Sequence, residues 1–186
     1  MQSSPADSDN LPSADYKTEI ATASPRVQQA RAFAVRAHGA QMYGDRPYVF
    51  HLDQVVELLK RYGEEAQIIG YLHDSVEDTP VTVDEVANHF GQFVADCVDL
   101  VSDSPGPDRK SRKAKTYARL AKVHGRHELA LVVKAADRLA NVRSCIAENN
   151  HKLLGVYKQE QPVFFRAAHR PGLCDEFWSE LRQLLS

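Results

Sequence analysis

Cysteine is scarce in this sequence, and long apolar runs are absent. Three cysteines (Cys97, Cys145 and Cys174) are scattered through 186 residues. They form no CxxC site and no readable disulfide framework, so a reducing compartment such as the cytoplasm is expected. No apolar stretch nears the roughly 18–20 residues that span a bilayer, which argues against a membrane protein. The first residues, MQSSPADSDN, lack the basic and apolar regions of a secretory signal. Excess charge of one sign is missing too. Twenty-three Lys plus Arg face 25 Asp plus Glu, a net charge of −2. That argues against a nucleic-acid protein relying on bulk positive charge. Strict apolar/polar alternation is also lacking, so no strand is predicted.

What remains is ordinary globular composition, 43% hydrophobic and 26% charged, at a length that suits one domain. Residues 1–24, rich in Ser, Asp, Ala and Pro, read as a disordered or loosely attached tail. Residues 25–186 read as the folded unit. Pro25 suits the first helical position with Ser24 as cap, and Val27, Ala30, Ala34 and Ala37 carry a helical period to about His38. QMYGDRPY reads as a loop, with Gly44 and Pro47 as punctuation. Further helices are predicted from about Leu52 to Tyr62 and from Glu64 to Asp78, ended by Pro80. Thr82 with Glu85 reads as a capping box opening the next helix, and another spans Phe93 to Val101. After the loop at 102–108 comes a basic helix, then a long apolar one from Leu129 to about Ile146. Two less regular helices are expected at Val156–Phe165 and Asp175–Leu185. The fold class is all-α, a compact multi-helix bundle.

The ionisable residues at issue are His51, His73, Asp74, Glu77, Asp78 and Asp137. His73 and Asp74 sit among apolar residues in GYLHDSVEDT, where unpaired charge is costly. In a continuous helix His73 and Glu77 share one stripe, and Asp74 and Asp78 the next. Three carboxylates on one side of a helix repel, and a bound cation is the simplest remedy. Asp137 lies on the long apolar helix with Asn141 one turn later, flanked by Lys134 and Arg138. His51, His73, Asp74 and Asp137 together make a mixed N/O set suited to Mn²⁺ or Fe²⁺. Four ligands would close a tetrahedral Zn²⁺ site, whereas an octahedral metal keeps positions for water and substrate. Two readings stay open from the residues alone: a metal centre, or carboxylates paired to nearby cations.

The order His…His-Asp…Glu-Asp…Asp resembles the HD-domain superfamily of metal-dependent phosphohydrolases. Three segments are more narrowly similar to the hydrolase domain of the Rel/Spo family and the small alarmone hydrolases: AxxAHGAQMYGDRPYVFH (34–51), GYLHDSVEDT (70–79) and KAADRLANVR (134–143). The similarity covers about residues 26–146. It implies an HD-domain bundle that removes pyrophosphate from the 3′ position of (p)ppGpp, with one Mn²⁺ per site. Metal ligation would fall to His51, His73, Asp74 and Asp137. Glu77 and Asp78 would orient or deprotonate the attacking water. Asn141 would hold ribose or phosphate, and Lys115 and Tyr117 stand near the family's phosphate contacts. The basic run Arg109, Lys110, Arg112, Lys113, Lys115 is the expected source of cations.

The sequence departs from the family around Tyr43 and Arg46. An Arg-Lys pair that packs on guanine is replaced by Met42-Tyr43-Gly44-Asp45-Arg46, one residue shorter. An aromatic ring can stack on any purine, so (p)ppApp joins (p)ppGpp as an expected substrate. The 186 residues leave no room for the family's synthetase domain. The competing functions are another HD phosphohydrolase (a 5′-nucleotidase, a dNTP hydrolase or an NADPH 2′-phosphatase) and a non-catalytic alarmone sensor. The expected partner is a small nucleotide, with neither nucleic acid nor membrane. Oligomeric state is left open.

Overall fold

A computed structural model describes residues 23–186 of the chain. All but Ala23 and Ser24 of the expected tail lies outside them. The described residues are helical, with one two-stranded exception. In chain order the helices begin with α1 (Pro25–His38). A hairpin of β1 (Met42–Tyr43) and β2 (Arg46–Pro47) follows. Next come α2 (Val49–Leu59), α3 (Glu64–Leu72), α4 (Ser75–Asp78), α5 (Val83–Phe90) and α6 (Gln92–Val101). The chain ends with α7 (Arg109–Leu120), α8 (Leu129–Ala147), α9 (His151–Ala168) and α10 (Asp175–Leu184). The all-α expectation holds.

Local signals set most helix starts. Ser24 accepts from the Val27 N–H ahead of Pro25, and Thr82 with Glu85 forms the full capping box. Asp108 caps α7 through the Ser111 N–H. Helix α8 is the centre of the bundle. Ala130 through Ala140 are all buried on it, as expected of a helix enclosed on every side. It is packed by α2, α3, α6, α9 and α10. Gly70 on α3 lets α2 come close, because a Cβ there would meet Leu59 Cδ1 at 2.6 Å. Trp178 is 1% exposed and packs against Phe164 and Phe165.

Two of the departures from the sequence reading shape the site. The helix expected from Glu64 to Asp78 breaks at His73-Asp74, between α3 and α4. The pair therefore stands at a helix junction rather than mid-helix. The QMYGDRPY loop contains the hairpin, pairing Met42 with Pro47 and Tyr43 with Arg46. Gly44 takes φ +61° at the first central turn position, where a side chain would be strained.

Candidate metal centre and active site

Three elements converge on one point. Helix α2 supplies His51, the α3–α4 junction supplies His73 and Asp74, and α8 supplies Asp137. Ligand atoms of His51, His73 and Asp74 all lie within 4.8 Å of one another, so these three could hold a metal ion. His51 Nε2 lies 3.4 Å from Asp137 Oδ1 and 3.9 Å from Asp74 Oδ2. His73 Nε2 lies 2.9 Å from Asp74 Oδ2 and 3.6 Å from Asp137 Oδ1. Both histidines are buried, at 1% and 0% exposure.

The donor set fits a divalent cation. His73 Nδ1 is 2.7 Å from the Gly70 carbonyl, which can only accept, so Nδ1 carries the proton. Nε2 is then the atom left to carry a second proton or meet a cation, and it is buried without a hydrogen-bond partner. This carbonyl-to-imidazole link is the usual way a ligating histidine is oriented. Burial disfavours an imidazolium at His73, but Asp74 and Asp137 outweigh it and raise its pKa well above the ordinary value. Burial likewise opposes ionisation of Asp74, yet His73 holds its carboxyl below the usual range. At Asp137 burial is overcome by Lys134 and both histidines, and the carboxyl is again lowered. The centre thus holds two carboxylates with positive charge demanded between them.

A cavity of about 160 Å³ opens beside this cluster. Asp74, Glu77, Asp78 and Asp137 line it, and so do Arg109, Lys113, Lys134 and Arg138. Glu77 is raised by burial, and its Oε2 accepts from the Asp103 N–H at 2.7 Å. Asp78 Oδ2 accepts from Gln41 Nε2 at 3.1 Å. Lys134 Nζ lies 3.3 Å from Asp137 Oδ2. Arg138 donates from Nη2 to Glu160 at 3.0 Å and to the Tyr117 hydroxyl at 2.8 Å, while its Nη1 is buried without a partner. Negative charge for one cation and positive charge for an anion therefore share one small space.

Of the other residues singled out from the sequence, Asn141 lines the cavity and donates from Nδ2 to Asp137 Oδ1 at 2.5 Å. Tyr43 stacks on His51, with ring centroids 4.7 Å apart, and donates to Asn141 Oδ1 at 2.9 Å. Tyr117 is placed behind Arg138 and lines a neighbouring groove of about 470 Å³ with Arg109, Lys110 and Lys113. Lys115 donates to the Pro105 carbonyl, and Arg46 lies over the Phe50 ring; neither lines the cavity. Arg109 and Lys113 are the members of the basic run that do so, with Lys113 paired to Asp103 at 2.9 Å. Sequence reasoning gave no role to Tyr48, whose hydroxyl donates to Asp74 Oδ2 at 2.5 Å, or to Tyr157. Its position in PYVFH, three residues before His51, was the available signal for Tyr48.

The HD-domain family model matches residues 30–174. The chain belongs to the HD-domain family. It is 30% identical over 161 residues to the guanosine-3′,5′-bis(diphosphate) 3′-pyrophosphohydrolase of Aquifex aeolicus, covering 85% of this chain and 23% of that protein. The enzyme of the same name from Vibrio cholerae is 29% identical over 153 residues, 79% of this chain and 22% of that protein. The chain therefore spans less than a quarter of the length of these relatives. Among solved structures, a metazoan SpoT orthologue described as hydrolysing ppGpp superposes with TM-score 0.69 at 23% identity, covering 86% of this chain and 96% of that one. A protein of Listeria monocytogenes EGD-e, lmo0812, gives 0.61 at 26% identity, covering 78% and 96%. The first of these likenesses speaks to the fold. Among the described residues no helix is long and apolar enough to cross a membrane.

Proposed function

We propose that this chain is a metal-dependent 3′-pyrophosphohydrolase of alarmone nucleotides, (p)ppGpp, (p)ppApp or both. It would yield pyrophosphate and GDP or GTP, or the adenine counterparts. The observation that carries this reading is the shared cavity, with carboxylates and histidines at one end and cations beside them. The similarity to 3′-pyrophosphohydrolases over most of the chain supplies the substrate class. Residues 25–186 would be the hydrolase unit. Three unpaired buried cysteines suit a cytoplasmic enzyme.

His51, His73, Asp74 and Asp137 would hold the cation, taken here as Mn²⁺ from the N/O character of the set. When bound, such an ion lowers the pKa of water and draws charge from phosphoryl oxygens. The remaining steps belong to the chain. Glu77 accepts the proton of the attacking water, with Oε2 fixed by the Asp103 N–H and its basicity raised by burial. Asp78, held by Gln41, orients that water. The water oxygen bonds to the phosphorus on the 3′ oxygen, the P–O3′ bond breaks, and the 3′ oxygen takes a proton from solvent while Glu77 releases the one it accepted. Lys113, Lys134 and Arg138 neutralise the departing pyrophosphate, and Asn141 holds the ribose or phosphate end.

A product assay tests the reading. Purified protein with Mn²⁺ would be offered ppGpp, ppApp, NADPH and dNTPs in parallel. Pyrophosphate plus a nucleoside 5′-diphosphate from either alarmone is the expected outcome. Orthophosphate or triphosphate from the other substrates, with both alarmones intact, would place the chain elsewhere among HD phosphohydrolases.

A further inference from the structure

We propose that Tyr43 is a positioning residue of the metal centre. Its hydroxyl fixes the Asn141 amide that holds Asp137, and its ring braces the His51 imidazole. The inference rests on the proposed metal centre and is independent of which nucleotide is the substrate.

The chain of contacts is short. Asp137 is buried on α8 and needs donors for its carboxylate. Asn141, one turn on, gives Nδ2 to Asp137 Oδ1 at 2.5 Å and to the Asp137 carbonyl at 3.1 Å. The amide must turn its NH₂ end toward the carboxylate, since its oxygen would be repelled there. That leaves Asn141 Oδ1 as an acceptor, and the Tyr43 hydroxyl fills it at 2.9 Å. On its ring face Tyr43 lies nearly parallel to His51, at 13° between planes. One side chain therefore touches His51 directly and reaches Asp137 through Asn141.

The hairpin makes this placement possible. Met42–Tyr43 pairs with Arg46–Pro47, and the Gly44 turn keeps the crossing tight. Tyr48, just past the hairpin, meets the Tyr43 ring edge-on and bonds Asp74. Two tyrosines from one small ribbon thus brace His51, Asp74 and Asp137. The sequence reading took Tyr43 as a platform for the nucleobase. Its hydroxyl and one ring face are committed inside the protein.

Mn²⁺ titration of metal-free protein, with no nucleotide present, tests the proposal. The free-ion electron paramagnetic resonance signal gives the dissociation constant. Tyr43→Phe keeps the ring and removes the hydroxyl, and should weaken Mn²⁺ binding about fivefold, the worth of one neutral hydrogen bond. Tyr43→Leu removes both contacts and should weaken it about tenfold or more, in the range of outer-shell losses. Adding Tyr43→Phe to Asn141→Ala should cost less than about twofold further, because the path through the amide is already cut. Metal-free Tyr43→Phe should melt no more than about 2–4 °C below wild type, the worth of that hydrogen bond, so that the titrated variant is folded. Unchanged Mn²⁺ affinity in both Tyr43→Phe and Tyr43→Leu would overturn the proposal, and a raised nucleotide KM in Tyr43→Leu would then restore a base platform. Fully additive losses in the double variant would overturn it as well. Wild-type protein that binds no Mn²⁺ would remove the metal centre itself, and this inference with it.

Discussion

His73 Nε2 and Asp74 Oδ2 stand 2.9 Å apart, and no hydrogen bond joins them. Adjacent residues rarely aim lone pairs at one point. Here the chain does so by leaving α3 and starting α4 between them. The ring's Nδ1 proton is held by Gly70, so only a second proton or a cation can occupy the gap. Mn²⁺ should therefore stabilise the fold. At a hundredfold excess over its dissociation constant, a ligand of the native state contributes about 2.7 kcal/mol. For a chain of this size that raises the melting temperature by about 5–11 °C. Asp74→Asn should abolish the shift. An equal shift in the variant, followed by differential scanning fluorimetry, would exclude this site.

In the proposed mechanism Glu77 is the base, not a ligand. Glu77→Gln should lower kcat about 10²–10⁴-fold, the usual worth of a general base. Mn²⁺ affinity should change little, because the ligating atoms of His51, His73 and Asp74 converge without it. Steady-state rates and Mn²⁺ titration of one preparation decide the matter. Loss of both together would make Glu77 a ligand instead.

Gly70 links packing to the centre. Its missing Cβ admits Leu59 and Val56, and its carbonyl orients His73. Alanine gains about 1 kcal/mol of helix propensity. Overpacking against Leu59 Cδ1 at 2.6 Å costs about 1–3 kcal/mol and should win. Gly70→Ala is thus expected to melt lower and to bind Mn²⁺ more weakly, as the carbonyl moves from under the imidazole. Thermal melts with and without Mn²⁺ measure both effects; a variant that melts higher would show that α2 yields.

The helix starts after Ser24 and Thr82 were legible because capping is a contact over three residues. The clustering of His51, His73, Asp74 and Asp137 was legible only as residue types, since their meeting depends on α2 and α8 packing about the α3–α4 break. The break itself has no sequence punctuation: Leu72-His73-Asp74-Ser75 contains neither Gly nor Pro. Four paired residues are too few to show alternation, so the hairpin went unseen. Which lysine of the basic run faces the cavity was hidden in a simpler way. Lys113 and Lys115 sit about 200° apart around α7, so only one can face the cavity. Nothing local says which. The Tyr43–Asn141 bond spans 98 positions and left no mark on either segment.

Glu160 on α9 ties two of the cavity's cations together. It accepts from Arg109 at 2.7 and 3.2 Å and from Arg138 at 3.0 Å. Burial raises its carboxyl, but Arg109 and Arg138 outweigh burial and leave it below the ordinary value. The unfolded chain titrates near 4.3. A folded pKa below that means the stabilisation is complete above about pH 4.3 and is lost as pH falls through the folded value. Glu160→Gln should therefore destabilise metal-free protein most at neutral pH. Breaking a fully buried pair costs about 3–5 kcal/mol. Arg109 is 40% exposed and can turn to water, so a loss on the order of 2–3 kcal/mol is expected. Urea unfolding at pH 7 and again near pH 3.5 should show the gap between wild type and variant narrowing in acid. Activity at pH 7 should fall as well, because Arg109 and Arg138 lose the anchor that aims them at the cavity. A gap that stays constant with pH would mean that Glu160 acts through packing and not through its charge.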